Sequence, residues 1–188
     1  MVSTLACHAG NPGSNPGRGA IYTVIKMGKE LFIERIFEAP RERVWKAWTI
    51  EKEVMKWWGP RGFTAPFITI DFRVGGKYLY CMRASDDIAK AMGRRDFWST
   101  GKFIEIVPEK KMVVTDSFSD EKGNIVPASS YGMQGEMALE STVTLTFDQV
   151  GNRTKLTIRY EGLPDGMLEQ AKQGWNESLD KLAEMLVN

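Results

Sequence analysis

The sequence predicts an α+β domain in which a curved antiparallel sheet of about seven strands wraps a long C-terminal helix. Three observations predict it. The last segment carries Leu168, Ala171, Trp175, Leu179, Leu182 and Leu186 at helical spacing, a single apolar stripe. Between residues 67 and 160, apolar and polar residues alternate in short runs separated by Gly, Pro and Asn turns. Trp45, Trp48, Trp57 and Trp58 crowd into fourteen residues and end at Gly59-Pro60. So much indole has to line a concavity or bury together.

The elements follow in order. Residues 1–28 hold the near-repeats Asn11-Pro12-Gly13 and Asn15-Pro16-Gly17 and read as a flexible extension, outside a single domain over 29–188. Residues 31–38 (LFIERIFE) have strand character. Pro40 suits the first turn of a helix over 41–49, whose Val44, Trp45 and Trp48 share a face. A second short helix spans 51–58 and stops at Gly59-Pro60. Residues 67–73 and 77–84 form a hairpin about Gly75-Gly76. Residues 86–96 are a polar excursion with some helical character. Strands over 97–107 and 111–118 pair about Pro108-Glu109-Lys110. Residues 119–140 form a long Met-rich loop, a length that marks function or mobility. Strands 141–148 and 153–160 make the last hairpin, and Pro164 opens the final helix. A single sheet gripping one helix seldom fills its interior, so a pocket is expected.

Composition removes whole classes of function. The 25 basic and 24 acidic residues leave a net charge of +1, with no electrostatic footprint for nucleic acid. No stretch reaches the roughly 20 apolar residues of a membrane-spanning helix. Cys7 and Cys81 make no disulfide framework and fit a reducing, cytoplasmic setting. The only histidine, His8, lies in the extension. A folded region without histidine runs no Ser-His or Cys-His mechanism and offers no imidazole to a metal. No cofactor, metal or catalytic residue is therefore assigned.

Several segments together resemble a known family: APRERVWKAWT (39–49), KWWGPRG (56–62), DFRVGG (71–76), STGKFIEIVP (99–108), Thr144 to Phe147 before Thr154 to Leu156, and GWNESLDKL (174–182). In this order they cover about 31–186. The chain resembles the START-related, Bet v 1-like (SRPBCC) superfamily with the helix-grip fold, and within it the AHSA1-like branch named after the C-terminal domain of the activator of Hsp90 ATPase. The resemblance implies a β-α-α-β6-α order and a deep cavity between sheet and helix. It implies small apolar ligands in many relatives and catalysis in a minority. The branch takes its name from a co-chaperone, whose large N-terminal domain this sequence does not contain.

The expected ligand contacts are Trp58, Tyr78, Tyr80, Met82, Trp98, Phe118, Tyr131, Met133 and Trp175. Of Trp57 and Trp58, one is expected to point inward and the other outward, because neighbours do not share a helix face. Tyr78, Tyr80 and Met82 share one strand face, with Leu79 and Cys81 on the other, and either face could line the cavity. Tyr131, Met133, Gln134 and Met137 make the long loop a lid candidate. Asp71 and Arg73 read as a cross-strand ion pair, and Cys81 as a small core residue. Gly174 costs its helix about 1 kcal/mol against Ala, which a closely approaching strand or ligand would explain. Asp116, Glu136, Glu140 and Glu161 form no recognisable acid–base pair.

The function so read is binding of a small apolar molecule, with more weight against enzymatic activity than for it. The first alternative is an enzyme (cyclase, dehydratase or hydrolase) on a hydrophobic substrate, marked by a buried carboxylate beside a pocket tyrosine. The second is a co-chaperone-like interaction domain. Neither nucleic acid nor membrane insertion is expected, and homodimerisation through a sheet edge stays open.

Overall fold

The computed structural model describes residues 30–133, 138–163 and 167–187. The expected extension, Pro164, and Gln134 and Met137 of the candidate lid lie outside the described residues. The order is β1 (Leu31–Phe37), α1 (Arg41–Thr49), α2 (Glu51–Val54), β2 (Phe63–Ile70), β3 (Lys77–Ala84), α3 (Asp86–Met92), β4 (Asp96–Val107), β5 (Lys111–Ser119), β6 (Ser141–Val150), β7 (Arg153–Glu161) and α4 (Leu168–Val187). The strands form one seven-stranded sheet ordered β1-β7-β6-β5-β4-β3-β2. Every neighbouring pair is antiparallel. The sheet curls, and α4 lies across its concave face, which is the helix-grip arrangement.

Curvature has local causes. β2 is irregular between Thr64 and Phe67, where Pro66 sits on an edge strand that can spare a ladder donor. β4 is irregular between Phe103 and Glu105, which turns Ile104 out to solvent. Such bulges bend a strand and raise its twist. The β2–β3 turn needs glycine at Gly76: a Cβ there would stand 2.0 Å from the Asp71 carbonyl oxygen.

One end of the groove is packed solid. α1 buries Val44, Trp45, Ala47 and Trp48. Trp45 meets Phe147 edge-on, with ring centroids 5.1 Å apart. α4 lowers Leu179 and Leu182 onto this cluster, and both are fully buried, as are Leu156 and Ile158. No helix among the described residues is long and apolar enough to cross a membrane.

The structure shifts some expected boundaries. α2 is only one turn, and hydrogen-bonded turns carry the chain on from Val54 to Trp58. Neither indole points away from the core: Trp57 is fully buried, its N–H donating to the Ala47 carbonyl at 2.9 Å, and Trp58, partly buried, packs on Tyr80. β2 starts at Phe63 and not at residue 67, because β3 runs on to Ala84 and supplies its partner. The polar excursion holds the helix α3, which buries nothing. Asp71 and Arg73 do pair, at 2.8 Å, but within one turn and not across strands.

Candidate functional site

The other end of the groove is hollow. A cavity of about 310 Å³ lies between the concave face of the sheet and the N-terminal half of α4. Strand parity decides which side chains enter it. On β3, Tyr78, Tyr80 and Met82 face the cavity, while Cys81 points to the convex side beside Trp98 and Phe67. Burial pushes the Cys81 thiol up to about 11, so it is a packing residue and not a nucleophile. On β5 the inward parity gives Met112, Val114, Asp116 and Phe118.

Small residues on α4 make the room. Ala171, Gly174 and Ser178 line the cavity where leucines close the solid end. Nothing lies within 4 Å of where a Gly174 Cβ would stand, so no strand approaches this glycine. Its missing side chain is part of the cavity.

One wall is indole. Trp48 and Trp175 stack with centroids 6.0 Å apart, and Trp58 meets Trp175 edge-on at 5.6 Å and Tyr80 at 4.9 Å. Trp58, Gly59 and Pro60 form part of the lining, and a half-buried lysine anchors the first two through their carbonyls. The Lys181 ammonium donates to the carbonyls of Gly59 at 2.9 Å and Phe63 at 3.0 Å, with Trp58 O at 3.5 Å. Burial lowers its pKa from the usual lysine range.

The polar part of the lining is concentrated. The Tyr78 hydroxyl stands 2.8 Å from Asp116 Oδ1 and 2.9 Å from the Thr115 carbonyl oxygen. The Tyr160 hydroxyl stands 2.6 Å from Asp116 Oδ2. Burial raises the Asp116 pKa above the ordinary aspartate value; the Tyr160 and Tyr78 hydroxyls and the Ser117 amide pull the other way and lose. Burial, and then the neighbouring Asp116, hold both phenols well above their usual range. The Tyr80 hydroxyl also lines the cavity; burial raises its pKa, and it has no hydrogen-bond partner among the described residues.

Gly101 makes this cluster geometrically accessible. It lies opposite Tyr78 on β4, and a Cβ there would meet the Tyr78 ring at 2.8 Å and the Thr115 carbonyl oxygen at 1.8 Å. Without a side chain at Gly101, the Tyr78 ring crosses β4 and its hydroxyl reaches β5.

Of the expected contacts, Trp58, Tyr78, Tyr80, Met82, Phe118, Met133 and Trp175 line the cavity. Trp98 and Tyr131 do not. Trp98 pairs with Cys81, so parity sends its indole to the convex face, where it packs on Phe67 at 5.4 Å. Tyr131 stacks on Phe97 and Phe118, and its hydroxyl donates to the Ser119 carbonyl and accepts from the Trp98 amide. Sequence reasoning missed Asp116 and Tyr160 as site residues. The signal was present: Asp116 interrupts the inward alternation of Met112, Val114 and Phe118.

Comparison with known proteins places these features in context. The family model described as "Activator of Hsp90 ATPase homolog 1-like protein" matches residues 38–187. No curated protein matches. Among solved structures, protein CV1439 from Chromobacterium violaceum is 29% identical with a TM-score of 0.66, over 84% of this chain and 96% of that one. A protein from Arthrobacter aurescens is 25% identical with a TM-score of 0.68, over 88% and 92%. The AHSA1 protein from Silicibacter pomeroyi, at 22% identity and a TM-score of 0.65 over 85% and 98%, shares the fold.

Proposed function

We propose, on the premise that this chain belongs to the activator of Hsp90 ATPase homolog 1-like family, that it binds a small apolar molecule in the cavity between its sheet and α4. The carrying observation is the cavity itself: about 310 Å³, walled by tryptophan, methionine and aliphatic side chains, with its polar groups few and clustered. That size and lining suit a small-molecule site. Apolar burial supplies affinity and the phenols supply orientation.

Native mass spectrometry of freshly purified protein, followed by release under denaturing conditions, reads out any retained compound. Titration with the neutral fluorophore N-phenyl-1-naphthylamine tests the cavity directly. Gly174→Leu projects a side chain into open space and weakens probe binding about tenfold or more, with the melting temperature kept. Unchanged binding in that variant would place the probe elsewhere and sink the proposal.

One observation favours a second reading. A half-buried carboxyl 2.8 Å from a pocket tyrosine is the set that acid–base chemistry needs, and it supports catalysis on a hydrophobic substrate. The check is whether a retained compound changes mass on incubation, and whether Asp116→Asn abolishes that change.

A further inference from the structure

The oxygens around Asp116 contain a proton count. Three short contacts link Tyr78 to Thr115 O at 2.9 Å, Tyr78 to Asp116 Oδ1 at 2.8 Å and Tyr160 to Asp116 Oδ2 at 2.6 Å. Each phenol brings one proton, and the Thr115 carbonyl brings none. With Asp116 ionised, two protons serve three contacts, and one pair of oxygens meets with lone pairs opposed. A third proton, on Oδ1, satisfies all three at once. Asp116 then donates to Tyr78, Tyr78 donates to Thr115 O, and Tyr160 donates to Oδ2.

The surroundings agree with that count. No lysine, arginine or histidine is among the described residues that line the cavity. From β3 the ionisable neighbours are Tyr78 and Tyr80, from β7 Tyr160, and Glu51 of α2 acts on Tyr80; every α4 residue in the lining is uncharged. A carboxylate without a counter-cation in an apolar cavity is costly, and taking up a proton removes the cost. The raised pKa of Asp116 points the same way.

The geometry points to Asp116 standing as a neutral acid at neutral pH, so that the cavity takes an uncharged molecule bearing a carbonyl oxygen, which accepts a hydrogen bond from Tyr80. The cluster's three protons are spent internally, which leaves the Tyr80 hydroxyl as the unspent phenol in the cavity. Amines find no negative charge to pair with, and carboxylates find no cation. This ligand class rests on the binding reading above; the protonation state does not.

The two are therefore tested separately. Infrared spectra of ligand-free protein at neutral pH are compared between wild type and Asp116→Asn. The expected result is a carbonyl-stretch band of a protonated carboxylic acid that the substitution removes. Tyr78→Phe, which leaves the acid in place, shifts that band and serves if the Asn variant does not fold. A band that appears only on acidification would overturn the neutral acid. The ligand class is read with 2-acetonaphthone, 2-naphthylmethylamine and 2-naphthoate as matched probes. The ketone should bind about tenfold tighter than either charged probe, and Tyr80→Phe should weaken binding of the ketone. Tighter binding of the amine would overturn the proposal. Failure of all three to bind would sink the cavity reading and the ligand class with it, while the infrared result still decides Asp116.

Discussion

The two ends of the groove are built from the same sheet and the same helix, yet one is solid and the other hollow. At the solid end α4 presents Leu179 and Leu182 to Leu156, Ile158 and Phe147, and every one of these side chains is buried. At the hollow end, earlier on the helix, it presents Ala171, Gly174 and Ser178 to Tyr78, Asp116 and Tyr160. The backbone geometry is shared, so the difference comes from side-chain volume and polarity. Stability is concentrated where the stripe is large; a ligand site opens where it is small. Substitutions at the two ends should therefore differ in sign as well as in size.

The largest effect belongs to the solid end. Leu182→Ala removes a fully buried side chain from a close-packed cluster, and such changes cost about 2–5 kcal/mol. Chemical denaturation measures it. A loss under about 1 kcal/mol would mean that this end also has slack, and the contrast would collapse.

Gly101→Ala comes next, at the boundary between structure and site. Its Cβ would stand 1.8 Å from a backbone carbonyl oxygen, so β4 and β5 must separate locally. Overpacking costs about 1–3 kcal/mol and sometimes more, and contact with backbone puts this case at the upper end. Displacing the Tyr78 ring should also perturb the protonation of Asp116, visible in the same infrared band. A destabilised variant with an unaltered band would separate Gly101 from the site.

Asp116→Asn probes the hollow end through pH. The folded state holds the Asp116 proton more tightly than the unfolded chain does, because burial raises its pKa above the ordinary value of 3.8. Its stability contribution is complete below that ordinary value and is lost as pH rises through the folded value. Wild type should therefore lose stability relative to Asp116→Asn as pH rises through that window. Denaturation curves at acid, neutral and mildly alkaline pH check the sign. A wild type that gains stability relative to Asp116→Asn as pH rises would contradict a raised carboxyl.

How much of this was legible in the sequence follows from periodicity. The stripe from Leu168 to Leu186 and the alternating runs specify a helix gripped by a sheet, and strand parity alone makes Tyr78, Tyr80 and Met82 one set. The open choice between the faces of β3 is closed by register, since Tyr80 lies opposite Ser99 and Cys81 opposite Trp98. Trp98 leaves the expected set by the same register, since pairing with Cys81 carries its indole to the convex face. The Tyr78–Asp116–Tyr160 cluster joins β3, β5 and β7, and such a contact needs the order of strands and the absence of a side chain at Gly101. No local pattern encodes either. Asp116 could have been singled out as a charged residue at an inward position; its tyrosine partners could not.

The smallest effect is the one that most sharpens the contrast. A glycine inside an exposed helix costs about 1 kcal/mol against alanine, and close packing usually explains why one is kept. At Gly174 that explanation fails, because an added methyl meets nothing within 4 Å. Gly174→Ala should therefore stabilise the protein, by about 1 kcal/mol, the propensity difference with no clash to subtract. The same methyl takes volume from the cavity, so N-phenyl-1-naphthylamine should bind more weakly to the more stable variant. Thermal denaturation and the probe titration give the two numbers on one sample. A more stable variant with weaker binding is what a helix kept thin for its guest requires. A less stable one would show that something packs on this glycine after all, and the hollow end would then be a gap in packing and not a site.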